Sequence, residues 1–371
     1  MSVLVLGTGI VGSAAIWDLL RRGHDVVAAD ANDDAARVAA ERFGVEVSTF
    51  DVTDEEALRG LLDRHQAVVS AVPYRYGAVV AGTAISTGTH YVDFGGNPTV
   101  VASQKMLHGN AESAGIMIVP DCGLAPGLAN VMATQLIVEA TVEATTAAPI
   151  DSVQIRVGAL PQQPIGALGY QLAFNSAGLI NEYAEPCEVI EGGRYATVEP
   201  LTRHETVPWD GWGPLEAFST AGGTSTMCHL HAGRVTDLEY KTLRFPGHGQ
   251  IFRALLEMGM FSEEADESGV APRSVLISAL DRSLPRGMPD LVLVRTWLDM
   301  GGSRSTMEIE DVERDGFTAL ARTTAFPATA LIDLIIRGEV HRPGVLTMNE
   351  AVTGIELLPE LESVGIAVAR H

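Results

Sequence analysis

Gly7-Thr8-Gly9-Ile10-Val11-Gly12 carries the spacing G-x-G-x-x-G, with an apolar run before it and a helical pattern after it. In that setting Gly7 permits a tight turn, Gly9 lets the backbone approach a pyrophosphate, and Gly12 lets the helix pack closely on the strand. The N–H groups of the first helical turn, Ile10 and Val11 included, would hold the anion with help from the helix dipole. Asp30 lies 18 residues beyond Gly12, at the end of the second strand pattern. A carboxylate there accepts hydrogen bonds from both ribose hydroxyls of an adenosine and repels a 2′-phosphate, so the expected cofactor is NAD. Arg37, in the next helix, could instead reach a phosphate. Asp51 stands either to meet the adenine amino group or to cap a helix. Ala71-Val72-Pro73 ends the fourth strand pattern, where the sheet order should reverse and the nicotinamide half should lie.

Ligands of such sheets bind beyond the carboxyl ends of the strands, which points to two further carboxylates. Asp93 stands in His90-Tyr91-Val92-Asp93-Phe94-Gly95-Gly96, and Asp121 in Pro120-Asp121-Cys122-Gly123-Leu124-Ala125-Pro126-Gly127. A pair of carboxylates suits a cationic substrate, because an ammonium or iminium needs a counter-charge and a proton acceptor. Either could instead cap a neighbouring helix, a reading that competes more strongly for Asp93 than for Asp121. Later, Arg244-Phe245-Pro246-Gly247-His248 ends a strand at a helix start. Arg244 could pair bidentately with a substrate carboxylate. His248 could titrate near neutral pH as an acid or base, or be a structural loop histidine. Thr224, in the small-residue loop 222–226, could help hold an anion, or the loop could be a plain turn. Cys122 has no basic neighbour in sequence and reads as an apolar filler. The 10 histidines and 3 cysteines show no metal-ligand spacing, so no metal is expected.

The elements that must position these residues follow from periodicity. Strand patterns at 3–6, 25–29, 45–50, 67–71, 91–92 and 116–119 alternate with helical patterns at 11–22, 32–43, 54–64, 77–87 and 98–113. That alternation predicts a doubly wound parallel sheet with right-handed crossovers, a Rossmann-type α/β domain over residues 1–122. After Gly123–Gly127 a helix is expected at 128–143. Hairpin patterns then follow, around Gly192-Gly193 and Gly301-Gly302, with strands at 237–244, 291–298 and 305–312 and helices at 249–258 and 273–281. This predicts a second α+β domain with an open mixed sheet over 123–322. The apolar helical pattern at 323–336 suggests that residues 323–371 return to the first domain.

The chain has 371 residues, 46% of them apolar, enough for more than one core. Its 25 Lys and Arg against 47 Asp and Glu leave a net charge of −22, which disfavours nucleic-acid and membrane-surface partners. Lys105 and Lys241 are its only lysines. An odd number of cysteines without a CxxC pair argues against a disulfide framework. No uninterrupted apolar run approaches the roughly 20 residues of a membrane span, and no leader pattern precedes the first strand. A cytoplasmic protein is expected.

Along most of its length the chain resembles the saccharopine dehydrogenase-like superfamily, most closely its short lysine 6-dehydrogenases. The resemblance runs through GTGIVG, SAVP, HYVDFGG, PDCGLAPGLAN, VGALPQQP, the INEYAEPCEVIEGG hairpin and LRFPGHGQIFRALLEMGMF. It implies a dinucleotide domain followed by a domain for substrate binding and subunit contact, in a homodimer or higher homo-oligomer. It also implies NAD-dependent oxidation of the lysine side-chain amine, or that of a close ω-amino acid, to the semialdehyde. Saccharopine-forming relatives carry an acidic residue where this chain has Ala125 and are longer, which favours the lysine branch. In that reading Asp121 holds or deprotonates the ammonium, Asp93 or His248 activates water on the imine, and Arg244 anchors the α-carboxylate with Thr224 assisting. Domain closure on a hinge near Gly123–Gly127 is expected. Two alternatives stay open. One is saccharopine-type chemistry on a secondary amine between two amino acids, for which Arg156 and Arg295 could supply further cations. The other is a non-catalytic NAD-binding protein.

Overall fold

The computed structural model describes residues 2–95, 97–143, 149–265, 267 and 269–371. Two compact units are built from interleaved segments: Met1–Gln135 with Ala321–Ala367, and Leu136–Leu320 with Val368–His371.

The first unit is built on a parallel sheet. Its strands are β1 (Ser2–Leu6), β2 (Asp25–Asp30), β3 (Glu46–Thr49), β4 (Ala67–Ser70), β5 (His90–Asp93) and β6 (Met117–Val119). They lie in the order 3-2-1-4-5-6, with a seventh strand, Gly344–Val345, beside β6. Val3, Leu4, Val5 and Leu6 are all buried, as a strand covered on both faces must be, and this is why the run is continuously apolar. Helix α1 (Ile10–Arg21) buries Ala14, Ala15, Ile16 and Leu19. Asn32, Asp54 and Asn97 cap the helices that follow them, each accepting a backbone N–H three residues on. The single helix expected at 98–113 is two, Pro98–Lys105 and His108–Ala114. The second helix brings His108 to the added strand, where Val345 N–H donates to its Nδ1 at 3.1 Å.

The C-terminal segment belongs to this unit from Ala321 onward. Its helix, Ala319–Ile336, is the one helix among the described residues long and apolar enough to cross a membrane. The sequence pattern had suggested no such stretch, because charged residues interrupt it. With 83% of it buried, it serves as a core helix. Thr329 Oγ1 donates to Asp18 at 2.6 Å, Arg22 donates to Glu360 at 2.8 Å, and Lys105 donates to Glu350 at 2.9 Å.

The change of compact unit falls inside the helix Leu128–Glu143, between Gln135 and Leu136. The Gly123–Gly127 turn therefore lies within the first unit, where it closes on itself. Leu128 N–H donates to Gly123 O at 2.9 Å, and Gly127 N–H donates to Asn130 Oδ1 at 2.7 Å. A Cβ on Gly127 would fall 2.1 Å from Gly123 O. The final residues, 368–371, leave the first unit again.

The second unit carries the mixed sheet. Its strands are β7 (Ile150–Pro161), β8 (Cys187–Glu191), β9 (Arg194–Val198), β10 (Glu205–Trp209), β11 (Gly213–Ser219), β12 (Val235–Arg244), β13 (Asp290–Met300) and β14 (Ser303–Val312). The order is 10-11-12-7-13-14, ending on Ala369–Arg370, with β8 and β9 branching from β12. Among the described residues of this sheet the pair β12–β7 is parallel and the other strand pairings are antiparallel. Side chains alternate across a strand, so Tyr240, Thr242 and Arg244 of β12 share one face, and Phe218, opposite Thr242, shares it too. That face packs against helices Ser176–Ala184, His248–Glu257 and Pro272–Ser283 through Leu179, Tyr183, Phe252, Leu276 and Leu280.

Candidate active site

The carboxyl ends of the parallel strands line up the residues expected to hold a dinucleotide. Gly7 has φ +91°, and a Cβ there would stand 2.8 Å from Ala71 O, so the turn brings β1 and β4 together. A Cβ on Gly12 would stand 1.9 Å from Gly7 O. Gly9 differs: a Cβ there would meet nothing within 4 Å. The protein's own packing does not require that glycine, whereas a pyrophosphate approaching the backbone does. No side chain caps the N-terminus of α1, leaving the N–H groups of its first turn for an anion. Ile10 is exposed beside this loop and Val11 is partly so.

Asp30 Oδ2 accepts from Thr8 N–H at 2.6 Å and Thr8 Oγ1 at 2.9 Å, and its Oδ1 accepts from Asn32 N–H at 2.8 Å. A carboxylate has about four acceptor sites, so one remains for a ribose hydroxyl. Arg37 is held on its own helix by Glu41 at 3.1 Å and Asp34 at 3.4 Å. Asp51 accepts from Thr53 N–H and Oγ1, and those bonds hold its carboxyl below the usual range. The helix cap there is Asp54, not Asp51. Ala71 follows β4, its N–H donating to Leu6 O at 2.7 Å; Val72 is partly buried and Pro73 exposed.

Asp93 and Asp121 lie together at the ends of β5 and β6. Asp93 Oδ2 accepts from Tyr91 OH and Gln104 Nε2, each at 2.7 Å. Its Oδ1 accepts from Gly95 N–H at 2.8 Å and Asp121 N–H at 3.2 Å. Four donors fill the carboxylate, so Asp93 brackets the loop; the structure does not support it as a proton acceptor. Asp121 is buried with φ +60°, and its carboxylate rests against the Cα of Gly95: a Cβ at Gly95 would fall 1.8 Å from Asp121 Oδ1. Gly96, in the same motif, is outside the described residues. Cys122 is fully buried; burial and the two carboxylates push its thiol well up, which suits an inert filler.

In the second unit Arg244, the last residue of β12, is buried in a ring of aromatic groups. Its Nε–H donates to Tyr183 Oη at 3.0 Å, its Nη1 to Leu243 O at 2.9 Å, and its guanidinium lies 5.0 Å from the centre of the Tyr170 ring. Tyr183 OH in turn donates to His248 Nε2 at 3.0 Å, and His248 Nδ1–H donates to Leu168 O at 3.0 Å. Burial, and then Arg244, push the imidazole down to about 3. His248 is therefore neutral with both nitrogens engaged. It positions Tyr183 and is not an acid or base near neutral pH, contrary to the expectation from sequence.

The acid beside Arg244 is Glu182, with Oε2 3.8 Å from Nη2. Crowding by protein pushes Glu182 up to about 7 against the pull of Arg244. Ala221 N–H donates to the Glu182 carbonyl at 2.9 Å, which ties in the loop bearing Thr224. Thr224 is buried, and its carbonyl accepts Met227 N–H at 3.0 Å; Gly223 packs on the Tyr240 ring. Arg156 and Arg295 do not join Arg244. Both lie level with each other across β7 and β13, and Arg156 is opposite Lys241, three residues from Arg244 on β12 and hence on the other face. Arg156 pairs there with Glu205 and Glu239, and Arg295 with Glu308.

Comparison with known proteins matches two consecutive segments of the chain. The pattern of the saccharopine dehydrogenase NADP binding domain covers residues 3–119, and that of the saccharopine dehydrogenase C-terminal domain covers residues 123–366. The chain belongs to the saccharopine dehydrogenase family. Among its relatives, alpha-aminoadipic semialdehyde synthase of Arabidopsis thaliana is 28% identical over 69% of this chain and 24% of that protein. The NADP-dependent, L-glutamate-forming saccharopine dehydrogenase of Saccharomyces cerevisiae is 26% identical over 72% of this chain and 60% of that protein. This chain thus matches less than two thirds of the length of either. A solved structure of the L-Glu-forming yeast saccharopine dehydrogenase superposes with a TM-score of 0.80 at 20% identity, covering 100% of this chain and 99% of that one. That agreement bears out the expected fold: a Rossmann-type parallel sheet plus a second domain with a mixed sheet.

For this saccharopine dehydrogenase-family chain, sequence reasoning missed Glu182 and Tyr183. Both lie on helix Ser176–Ala184, capped by Asn175, where the INEYAEPCEVIEGG block suggests a hairpin. The available signal was Asn175-Ser176 ahead of Leu179, Ile180 and Tyr183, a cap followed by helical apolar spacing.

Proposed function

We propose that this chain is a nicotinamide-dependent oxidoreductase that acts on a carbon–nitrogen bond of an amino acid, of the saccharopine type, where a secondary amine joins two amino acids. Family membership over both halves carries this reading, since both relatives compared in sequence are named for the chemistry of saccharopine or its semialdehyde product. The bound dinucleotide would take the hydride from the carbon that bears the nitrogen. Gly7, Gly9, Gly12 and the first turn of α1 would hold its pyrophosphate, and Asp30 its adenosine ribose. Asp33 and Asp34 follow Asp30 closely, and Arg37 is already paired with acids. This acidic strand end supports NAD over NADP. Arg244 would anchor a substrate carboxylate, with Tyr183 and His248 fixing its orientation.

One observation favours a second reading, oxidation of the lysine side-chain amine. Saccharopine carries three carboxylates, yet Arg156 and Arg295 lie on the sheet face away from Arg244. The deciding experiment supplies the purified protein with NAD or NADP and with either saccharopine or L-lysine, following reduced dinucleotide. Reduction with saccharopine, faster with NAD and accompanied by glutamate, is expected. Reduction with L-lysine alone would put the second reading in its place. Dinucleotide binding without reduction by either substrate would leave a non-catalytic NAD-binding protein.

A further inference from the structure

Resting on the saccharopine-type reading, we propose that Glu182 is the group that takes the proton from the substrate nitrogen. We further propose that Glu182 and Arg244 together select a substrate whose reacting nitrogen is bonded to the carbon next to a carboxylate. The argument begins with the pair itself. Arg244 uses Nε and Nη1 on Tyr183 and the Leu243 carbonyl, and turns Nη2 toward Glu182. At 3.8 Å the two groups are too far apart to hydrogen-bond and close enough to share one ligand. Their exposure differs sharply: the side chain of Arg244 is 4% exposed and that of Glu182 is 35%. The cation is the deeper of the two groups and the acid the more exposed, so a carboxylate seated on Arg244 would present its neighbouring carbon and nitrogen to Glu182.

The groups around Glu182 leave it as the titrating member. Tyr170 is pushed up to about 12 by burial, and Tyr183 and Tyr240 are pushed up by burial as well, so all three phenols are neutral at ordinary pH. His248 is neutral for the reason given above. Arg244 is the charged group facing Glu182, and a bound carboxylate would cancel its pull. The proton affinity of Glu182 would then rise on substrate binding, when the ammonium must lose a proton. In the step proposed, an N–H bond of the protonated amine breaks and an O–H bond forms on the Glu182 carboxylate. The nitrogen would keep the electron pair for a second bond to the side-chain carbon of the lysine portion, and the dinucleotide, when bound, would supply the hydride acceptor for that carbon, so that water splits the imine to glutamate and the semialdehyde. In saccharopine the bridging nitrogen sits on the α-carbon of the glutamate portion, as this geometry requires. In lysine the side-chain amine lies at the far end of the chain from the carboxylate.

The test compares wild type, Glu182→Gln and Glu182→Asp with saccharopine and NAD. Its readouts are the pH dependence of kcat/KM and the protons exchanged on saccharopine binding, by calorimetry in buffers of different ionisation enthalpy. Wild-type kcat/KM should rise with pH through the neutral region. Glu182→Gln should lose that limb, fall by about 10²- to 10⁴-fold and exchange no proton, while Glu182→Asp should restore a displaced limb. A Glu182→Gln enzyme that keeps the wild-type limb and shows only a raised KM would make Glu182 a counter-ion and overturn the proposal. Thermal melts check that both variants fold, and the aspartate variant carries the test if the glutamine variant does not. Wild type that neither binds nor oxidises saccharopine would instead overturn the functional reading and this assignment with it.

Discussion

Single residues decide most of what the nucleotide-binding loop and the Arg244 cluster can do. Asp30 uses three of its acceptor positions to hold Thr8 and Asn32, so its substitution touches both the phosphate loop and the ribose. Asp30→Ala should weaken NAD binding by roughly 1 to 3 kcal/mol, the scale for hydrogen bonds to a charged group. Calorimetric titration would check this, and unchanged NAD affinity would remove Asp30 from the nucleotide site. Gly95 was legible as part of a motif but not as a requirement of Asp121. The reason is a contact between strands that no spacing along the chain encodes: a Cβ would stand 1.8 Å from Asp121 Oδ1 and 2.8 Å from its Cα. Gly95→Ala should therefore destabilise the first unit by about 1 to 3 kcal/mol. A melting temperature equal to wild type would mean that the loop relaxes freely. His248 teaches the converse. Its residue type suggested proton chemistry, and only burial beside Arg244 shows that it remains neutral.

Among the elements, those with strong local patterns were readable. β1, β2 and β4 have apolar cores because helices cover both faces, and the helices Asp33–Phe43 and Glu55–Leu62 begin at the Asn32 and Asp54 caps. The strands β10 and β11 escaped notice. β10 is a short edge strand that contains Pro208 and alternates buried with exposed residues, a pattern that a polar loop can imitate. The seventh parallel strand, two residues long, pairs along the edge of β6. Helix Ser176–Ala184 matters most, since it carries Glu182 and Tyr183. Asn175 accepts Gly178 N–H at 2.6 Å to start it. Asn175→Ala should cost about 1 kcal/mol of stability. Denaturant unfolding would measure that cost, and a difference within error would show that packing alone holds the helix.

For the molecule as a whole, the first unit is completed by a segment more than 180 residues downstream of where the chain leaves it. The join is ionic as well as apolar. Arg22 reaches Glu360, and Asp333 holds His24 at 2.9 Å and Arg337 at 3.6 Å. Burial alone would raise the Asp333 carboxyl, but the His24 hydrogen bond and the charges of Arg337 and Arg22 hold it below the usual range. A carboxyl whose folded value is depressed stabilises fully above the unfolded value of about 3.9. That stabilisation is lost as pH falls through the folded value. Asp333→Asn should accordingly lower the melting temperature at neutral pH, and its gap from wild type should narrow as pH drops below about 4. A gap that stays constant from neutral pH to pH about 3 would show that Asp333 contributes nothing through its charge.

The sequence by itself determined the parallel nucleotide-binding sheet, the reversal of its order after the fourth strand and the places of Gly7, Gly9, Gly12, Asp30, Asp93 and Asp121 along its carboxyl edge. Those features rest on local periodicity and on the handedness of crossovers, which short stretches of chain carry in full. Tertiary structure alone decided that Asp93 is filled by four donors, that His248 is neutral, and that Arg156 and Arg295 face away from Arg244. It also decided that Glu182 stands beside Arg244. Each of these depends on the register of distant strands and on how much water the fold leaves around a charge, and neither quantity is written in the neighbours along the chain.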